Sequence, residues 1–221
     1  MTSALLIQPV PTGDAVARYE RLSHGTPTWY DLMPTPANGT DSGWPAPPGP
    51  PLWPTFDGDQ VIVVGQPTKL GLTGNMSFVA WASQPDGGDG YETLMTRDAG
   101  GANRFILSQN DTTGKAFVML NIVANISVVS VTSVNDSAWH MIAATHDGAT
   151  LKLYVDGELD ASLAAVGSAD IDTATDLDFG ADTVPPDDYL EGRLDTCRIY
   201  NRALSADEIL RDYYAGKPAH P

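Results

Sequence analysis

Residues 138–162, AWHMIAATHDGATLKLYVDGELDAS, decide the fold. From Trp139 to His146 the side chains alternate, with Trp139, Met141, Ala143 and Thr145 set against His140, Ile142, Ala144 and His146. Leu151, Leu153 and Val155 alternate in the same way with Lys152 and Tyr154. Asp147-Gly148 and Asp156-Gly157 punctuate these runs. Asp-Gly between alternating runs marks a tight hairpin, because a type I′ turn holds both central residues at positive φ. The stretch predicts three antiparallel strands in a meander with one apolar face.

The same grammar extends to both sides. TFDGDQVIVV (55–64), MSFVAWAS (76–83), Glu92–Arg97, Arg104–Gln109, Ala116–Val123, Ile126–Val134, Asp176–Phe179 and Leu190–Tyr200 read as strands between Gly/Asp/Asn turns. Ala15–Tyr19 and Trp29–Asp31 add two earlier extended pieces. Ser205 and Glu208 form a capping box that opens one short helix, Ala206–Tyr214, stopped by Gly216 and Pro218. Between 33 and 54 proline is so dense that a stiff surface loop is expected, whose Trp44 and Trp53 either pin it to the body or form a sugar-stacking platform. Residues 1–12 read as an extended arm, 13–216 as one domain and 217–221 as a loose tail. Within the arm, Leu5, Leu6 and Ile7 offer an apolar segment for a partner or a sheet edge, the alternative being a frayed terminus.

Composition narrows the function. The 221 residues carry a net charge of −16, which opposes a phosphate backbone and so a nucleic-acid partner. The N-terminus has neither a basic n-region nor a long apolar run, so no secretory signal and no membrane span are expected. Cys197 is the single cysteine, lies in an apolar strand and reads as a buried, inert thiol. His24, His140, His146 and His220 form no zinc spacing with it. Trp81 and Trp139, in alternating strands, read as core.

FDGDQVIVV (56–64), MSFVAWA (76–82), WHMIAATHDGATLKLYVDGELD (139–160) and LEGRLDTCRIYNRALSADEI (190–209) together resemble the laminin-G-like, concanavalin A-like lectin/glucanase superfamily. The resemblance implies an all-β, two-sheet antiparallel jelly-roll sandwich with the short helix at its C-terminus. It also implies a structural calcium, for which Asp57 and Asp195 are carried over, with Asp59 as a third carboxylate. One branch of the superfamily hydrolyses β-glucans through a Glu-x-Asp-x-x-Glu strand. The nearest match, Glu158-Leu-Asp160-Ala-Ser-Leu163, lacks the last carboxylate, so a laminarinase-like hydrolase is disfavoured and a non-catalytic module expected.

Glycan binding in such a module falls to rim loops, where the candidates are Tyr91, Asn103, Arg104, Asp187, Asp188 and Tyr189. A fold that works on exposed surfaces, without an export signal, points to a phage-type virion surface protein. It would be a head decoration or tail adhesion component, anchored by its arm to a virion or other surface protein. The alternative is a free-standing lectin-like module outside the cell. Whether the chain self-associates as a homo-oligomer is left open by the sequence.

Overall fold

In the computed structural model, backbone is described at 15–20, 28–31 and 39–42, and then over 55–66, 70–85, 90–98, 104–110, 113–171, 175–183 and 186–217. The described residues form β1 (Ala15–Glu20), β2 (Thr28–Asp31), β3 (Gly39–Ser42), β4 (Thr55–Asp57), β5 (Val61–Gly65), β6 (Leu72–Gly74) and β7 (Met76–Ser83). Then come β8 (Tyr91–Arg97), β9 (Phe105–Asn110), β10 (Lys115–Asn121), β11 (Asn125–Ser133), β12 (His140–His146), β13 (Thr150–Val155) and β14 (Glu158–Ala164). The last elements are β15 (Ala169–Ile171), β16 (Leu177–Phe179), β17 (Asp182–Thr183), β18 (Pro186–Asp187), β19 (Glu191–Tyr200) and α1 (Ala206–Gly216).

Two antiparallel layers result, as expected of a jelly roll. One runs β1-β19-β7-β12-β13-β14, with β4 also on β19; the other runs β3-β5-β16-β8-β9-β10-β11. Strand β2 pairs with both β1 and β3 and so stitches the layers together on one side. On the other side the edge strands β14 and β11 meet, and the Asp160 carboxylate of β14 accepts hydrogen bonds from the Val131 and Thr132 amides of β11. A charged side chain thus occupies edge amides that would otherwise be open to another strand.

Between the layers lies an apolar core in which Phe78 of β7 stacks on Phe105 of β9 with ring centroids 4.1 Å apart. Ile142 and Ala144 of β12 face this core. Met141 and Ala143, from the opposite face of the same strand, join Val79, Trp81, Trp139, Tyr154, Tyr200, Leu204 and Ile209 in a second cluster. The meander therefore has two apolar faces, not the single one expected from its alternation. The extra face is covered by α1, whose Ile209 is fully buried and whose Tyr213 stacks on Trp81 at 5.7 Å. The helix seats closely because a Cβ at Gly216 would come within 2.7 Å of the Trp81 indole nitrogen. Trp81 and Trp139 are core residues, as expected.

The two Asp-Gly turns differ. Asp156 and Gly157 have φ of 52° and 87°, the pair a type I′ turn demands. At the first turn only Gly148 is at positive φ, which departs from the expected geometry. There the Asp147 carboxylate accepts from the amides of Ala149 (3.1 Å) and Thr150 (2.8 Å), closing a wider loop through its side chain.

The capping box forms as expected: Glu208 N–H donates to Ser205 Oγ, and Ser205 N–H donates back to the Glu208 carboxylate at 2.8 Å. Within the proline-dense stretch, Gly39–Ser42 is a strand, paired to β2 and β5. It lies in the longest proline-free interval of the stretch, Ala37 to Trp44, so each of its residues keeps an amide for the ladder.

Candidate functional site

Asp57 ends β4 opposite Glu191 of β19, and a tight loop through Gly58 (φ 91°) leads to Asp59 and Gln60. Gln60, buried, locks this loop: its amide nitrogen donates to the Asp57 carboxylate and its oxygen accepts from Asp57 N–H at 2.6 Å. The hydrogen bond to Asp57 raises the Asp59 pKa from its ordinary value, with desolvation and the Asp57 charge adding to it. Asp195 lies opposite Trp81 on β7, four residues along β19 from Glu191 and so about 13 Å from it. The three carboxylates carried over for calcium are therefore not gathered. Asp57 and Asp59 stand together, Asp195 stands apart, and no cluster of three or more metal-ligating side chains occurs among the described residues.

The rim candidates divide between the two ends of the second layer. Tyr91 begins β8 opposite Asn110, the last residue of β9. The residue is 43% exposed, although its ring leans on that of Phe117 of β10 at 5.3 Å. On the other flank of β8, the Asp188 carbonyl accepts from Thr93 N–H at 2.9 Å, which brings Asp188 and the half-buried Tyr189 alongside. Asp188 is held at φ 50°, a left-handed conformation at the sharp corner after β18.

Asn110 closes the neighbouring turn by accepting Thr113 N–H at 3.0 Å and the Thr113 hydroxyl at 2.7 Å. An exposed aromatic residue thus stands at the end of β8 between Asn110 and the Asp188–Tyr189 segment, and an aromatic ring is the kind of surface on which sugar C–H faces stack. Behind it Glu92 is buried, and its carboxylate accepts from Gln84 Nε2 at 2.8 Å.

Arg104 lies at the opposite end of the β8–β9 hairpin, next to the Arg97–Phe105 pair and about 20 Å from Tyr91. It is bound to Asp98 at 2.6 Å and to the Met119 sulfur at 3.1 Å, so it belongs to a different surface. Asn103, the side chain of Asp187, Trp44, Trp53 and the Leu5, Leu6, Ile7 segment lie outside the described residues.

Of the two carboxylates in the partial glucanase pattern, Asp160 closes the β14–β11 seam, and Glu158 is exposed at the start of β14. A two-carboxylate hydrolase needs both groups free to face one bond. One group the sequence singled out only to dismiss zinc is His140. Its Nδ1 meets Asp156 at 2.8 Å and its Nε2 meets Asp136 at 3.1 Å. Burial by itself would lower the His140 pKa, but hydrogen bonds and charges from Asp156 and Asp136 together outweigh it and hold the pKa above 6.5. The i,i+4 spacing of Asp136 and His140 is visible in the sequence; the pairing with Asp156 needs the hairpin.

Comparison with known proteins agrees with this architecture. A sequence profile of the Concanavalin A-like lectin/glucanases superfamily matches residues 56–210. No curated protein sequence matches the chain. Among solved structures, the botulinum neurotoxin serotype G binding domain is similar with a TM-score of 0.67 at 14% identity, over 91% of this chain and 51% of that one. The serotype D ligand-binding domain in complex with N-acetylneuraminic acid gives a TM-score of 0.67 at 13% identity, over 92% of this chain and 51% of that one. The Ruminococcus gnavus IT-sialidase CBM40 bound to α2,3-sialyllactose gives 0.53 at 16% identity, over 63% of this chain and 82% of that one. The chain spans about half the length of the toxin domains. At these identities the likeness is one of fold.

Proposed function

Because the chain belongs to the Concanavalin A-like lectin/glucanases superfamily, we propose that it is a non-catalytic glycan-binding module. The carrying observation is Tyr91, an aromatic residue left 43% exposed at the start of β8, between Asn110 and the Asp188–Tyr189 segment. Sugar rings present C–H faces that stack on such a surface, and their hydroxyls bond to the surrounding amide and carboxylate groups. Similar folds in complexes with N-acetylneuraminic acid and sialyllactose support a saccharide as the class of ligand. The use of Asp160 in the sandwich seam supports a role without turnover. A glycan array tests the proposal: hits that weaken in Tyr91→Ala with an unchanged fold support it, and an array without hits removes it.

Display of this module on a virion or other surface is a separate part of the proposal and rests on the sequence. The apolar Leu5, Leu6, Ile7 segment is the feature that suits an anchor. Among the described residues no helix is long and apolar enough to cross a membrane. Co-purification with a capsid or tail protein, lost on deletion of residues 1–12, supports display; a chain that co-purifies with neither removes it.

A further inference from the structure

The exposed apolar side chains of the described residues are not scattered. Eight large ones face solvent, and six of them, Val123, Val129, Val131, Leu159, Leu163 and Val166, lie on or beside one narrow side of the sandwich, where the edge strands β11 and β14 meet. Val129 stands on the outer face of β11, since it is in register with Phe117 and alternates with the core residue Val128. Leu163 is in register with the core residue Leu151, but β14 is the last strand of its layer and leaves it half open at the sandwich's edge. Gly167 packs against the β10–β11 turn so closely that a Cβ there would come within 2.6 Å of Ile122 Cγ2 and 3.4 Å of Val123 Cγ2, which sets Val166 beside Val123.

This wall is nearly free of charge in a chain of net charge −16. Residues 116–135 hold no Asp, Glu, Lys or Arg, and neither do residues 161–169. The charges at its margin are engaged within the chain: the Asp160 carboxylate accepts from the Val131 and Thr132 amides, and the Lys115 ammonium donates to the Val131 carbonyl. Glu158 stands exposed at the first position of β14. Two copies of so acidic a chain repel each other over most approaches, so a contact between copies calls for an uncharged surface, and this wall is one. Because Asp160 fills edge amides of β11, the wall is suited to side-chain packing and not to strand-on-strand extension. A strip about 30 Å long and about 20 Å wide offers roughly 600 Å² per copy, or about 1,200 Å² in all, the size at which specific interfaces begin.

We propose that the β11–β14 wall is a self-association surface on which a second copy of this chain packs, side chain against side chain, about a two-fold axis. Both copies bring the same apolar strip, so the contact is isologous and closes at two. Tyr91 is on β8, three strands from β11 and so about 14 Å away, and the dimer leaves it open on each copy. The proposal stands apart from the glycan-binding reading, and neither depends on the other.

The test is sedimentation equilibrium of the full chain from about 1 to 200 µM, the range in which an interface of this size dissociates. The expected result is a mass that passes from one chain to two, with a dimer that tightens as salt rises, because salt screens the repulsion between acidic copies and leaves the apolar contact in place. Val131 is 73% exposed, so charging it costs the folded chain little. Val131→Glu and Leu163→Lys, one in each layer, should each weaken the dimer at least about tenfold, since each places an unpaired charge in the contact. Val131→Thr, of the same shape and uncharged, should retain most of the association, and an unchanged circular dichroism spectrum in every variant separates loss of the contact from loss of the fold. The mass of one chain at every concentration overturns the proposal, even where another protein is found to cover the wall, and so does growth beyond two chains. A dimer that both charged variants leave intact overturns it as well. So does one that is lost on deletion of residues 1–12 and unaffected by Val131→Glu, which gives the contact to the arm.

Discussion

Arg198 of β19 and Asp212 of α1 form a buried ion pair in which the guanidinium donates to both carboxylate oxygens at 2.5 Å, with Asp212 1% exposed. It is the polar fastening of the helix that covers the outer cluster around Trp81 and Tyr154. Removing one partner strands the other charge out of water. Asp212→Ala is therefore expected to lower unfolding stability by about 3–5 kcal/mol, while Arg198→Met with Asp212→Leu loses much less. Urea denaturation checks both. A loss below about 1 kcal/mol in the single variant, the median of an exposed pair, would show that the helix is held by packing alone.

His140 has a carboxylate on each ring nitrogen, an arrangement in which only the imidazolium donates to both. Its folded pKa is raised, so the clamp contributes stability fully below the unfolded value of 6.5 and loses it as pH rises through the folded value. The expected outcome is a decline in Tm as pH rises above 6.5 that His140→Gln abolishes. In Asp156→Asn the NMR titration midpoint of His140 should move down. A midpoint unmoved by that change would contradict the clamp.

Acid acts in the opposite direction. Lys152, followed by the Thr150 and Ala149 amides, holds Asp147 down to about 2 against the opposing effect of burial, and Arg202 with the Ser205 cap does the same for Glu208. Both contributions are complete above the ordinary carboxylate range and fade as pH falls toward 2. Asp147→Asn and Glu208→Gln should each flatten the fall of Tm in that window. Parallel acid curves for wild type and variants would contradict these assignments.

The separation of Asp195 from the Asp57–Asp59 pair bears on calcium. With Asp195 apart from the other two, Asp195→Ala is expected to leave the response of Tm to chelator and to added calcium as it is in the wild type. A fall in Tm on chelation, restored by calcium and absent in Asp57→Ala, would re-establish the ion with a different ligand set.

How much of this was legible in the sequence depended on range. The β7 and β12 strands, the Asp156-Gly157 turn and the capping box are written in local patterns, and the structure has them where those patterns put them. What escaped is long-range. Alternation in MIAAT could not say that both faces of β12 would be covered, because the cover arrives from a helix some 65 residues later. The Asp160 bonds to β11, the Arg198–Asp212 pair and the His140–Asp156 contact depend on strand neighbours that no short window contains. The rim set was chosen by residue type, which could not show that Tyr91 and Arg104 terminate opposite ends of one hairpin.

The most direct test of the central claim maps a bound saccharide onto the protein. In a 15N-labelled chain titrated with the strongest hit from the array, shift changes are expected to centre on Tyr91, Asn110, Thr113, Asp188 and Tyr189, with none at Arg104 and no released reducing sugar. Perturbations centred on Arg104 and Asp98, or hydrolysis of the ligand that depends on Glu158, would contradict it.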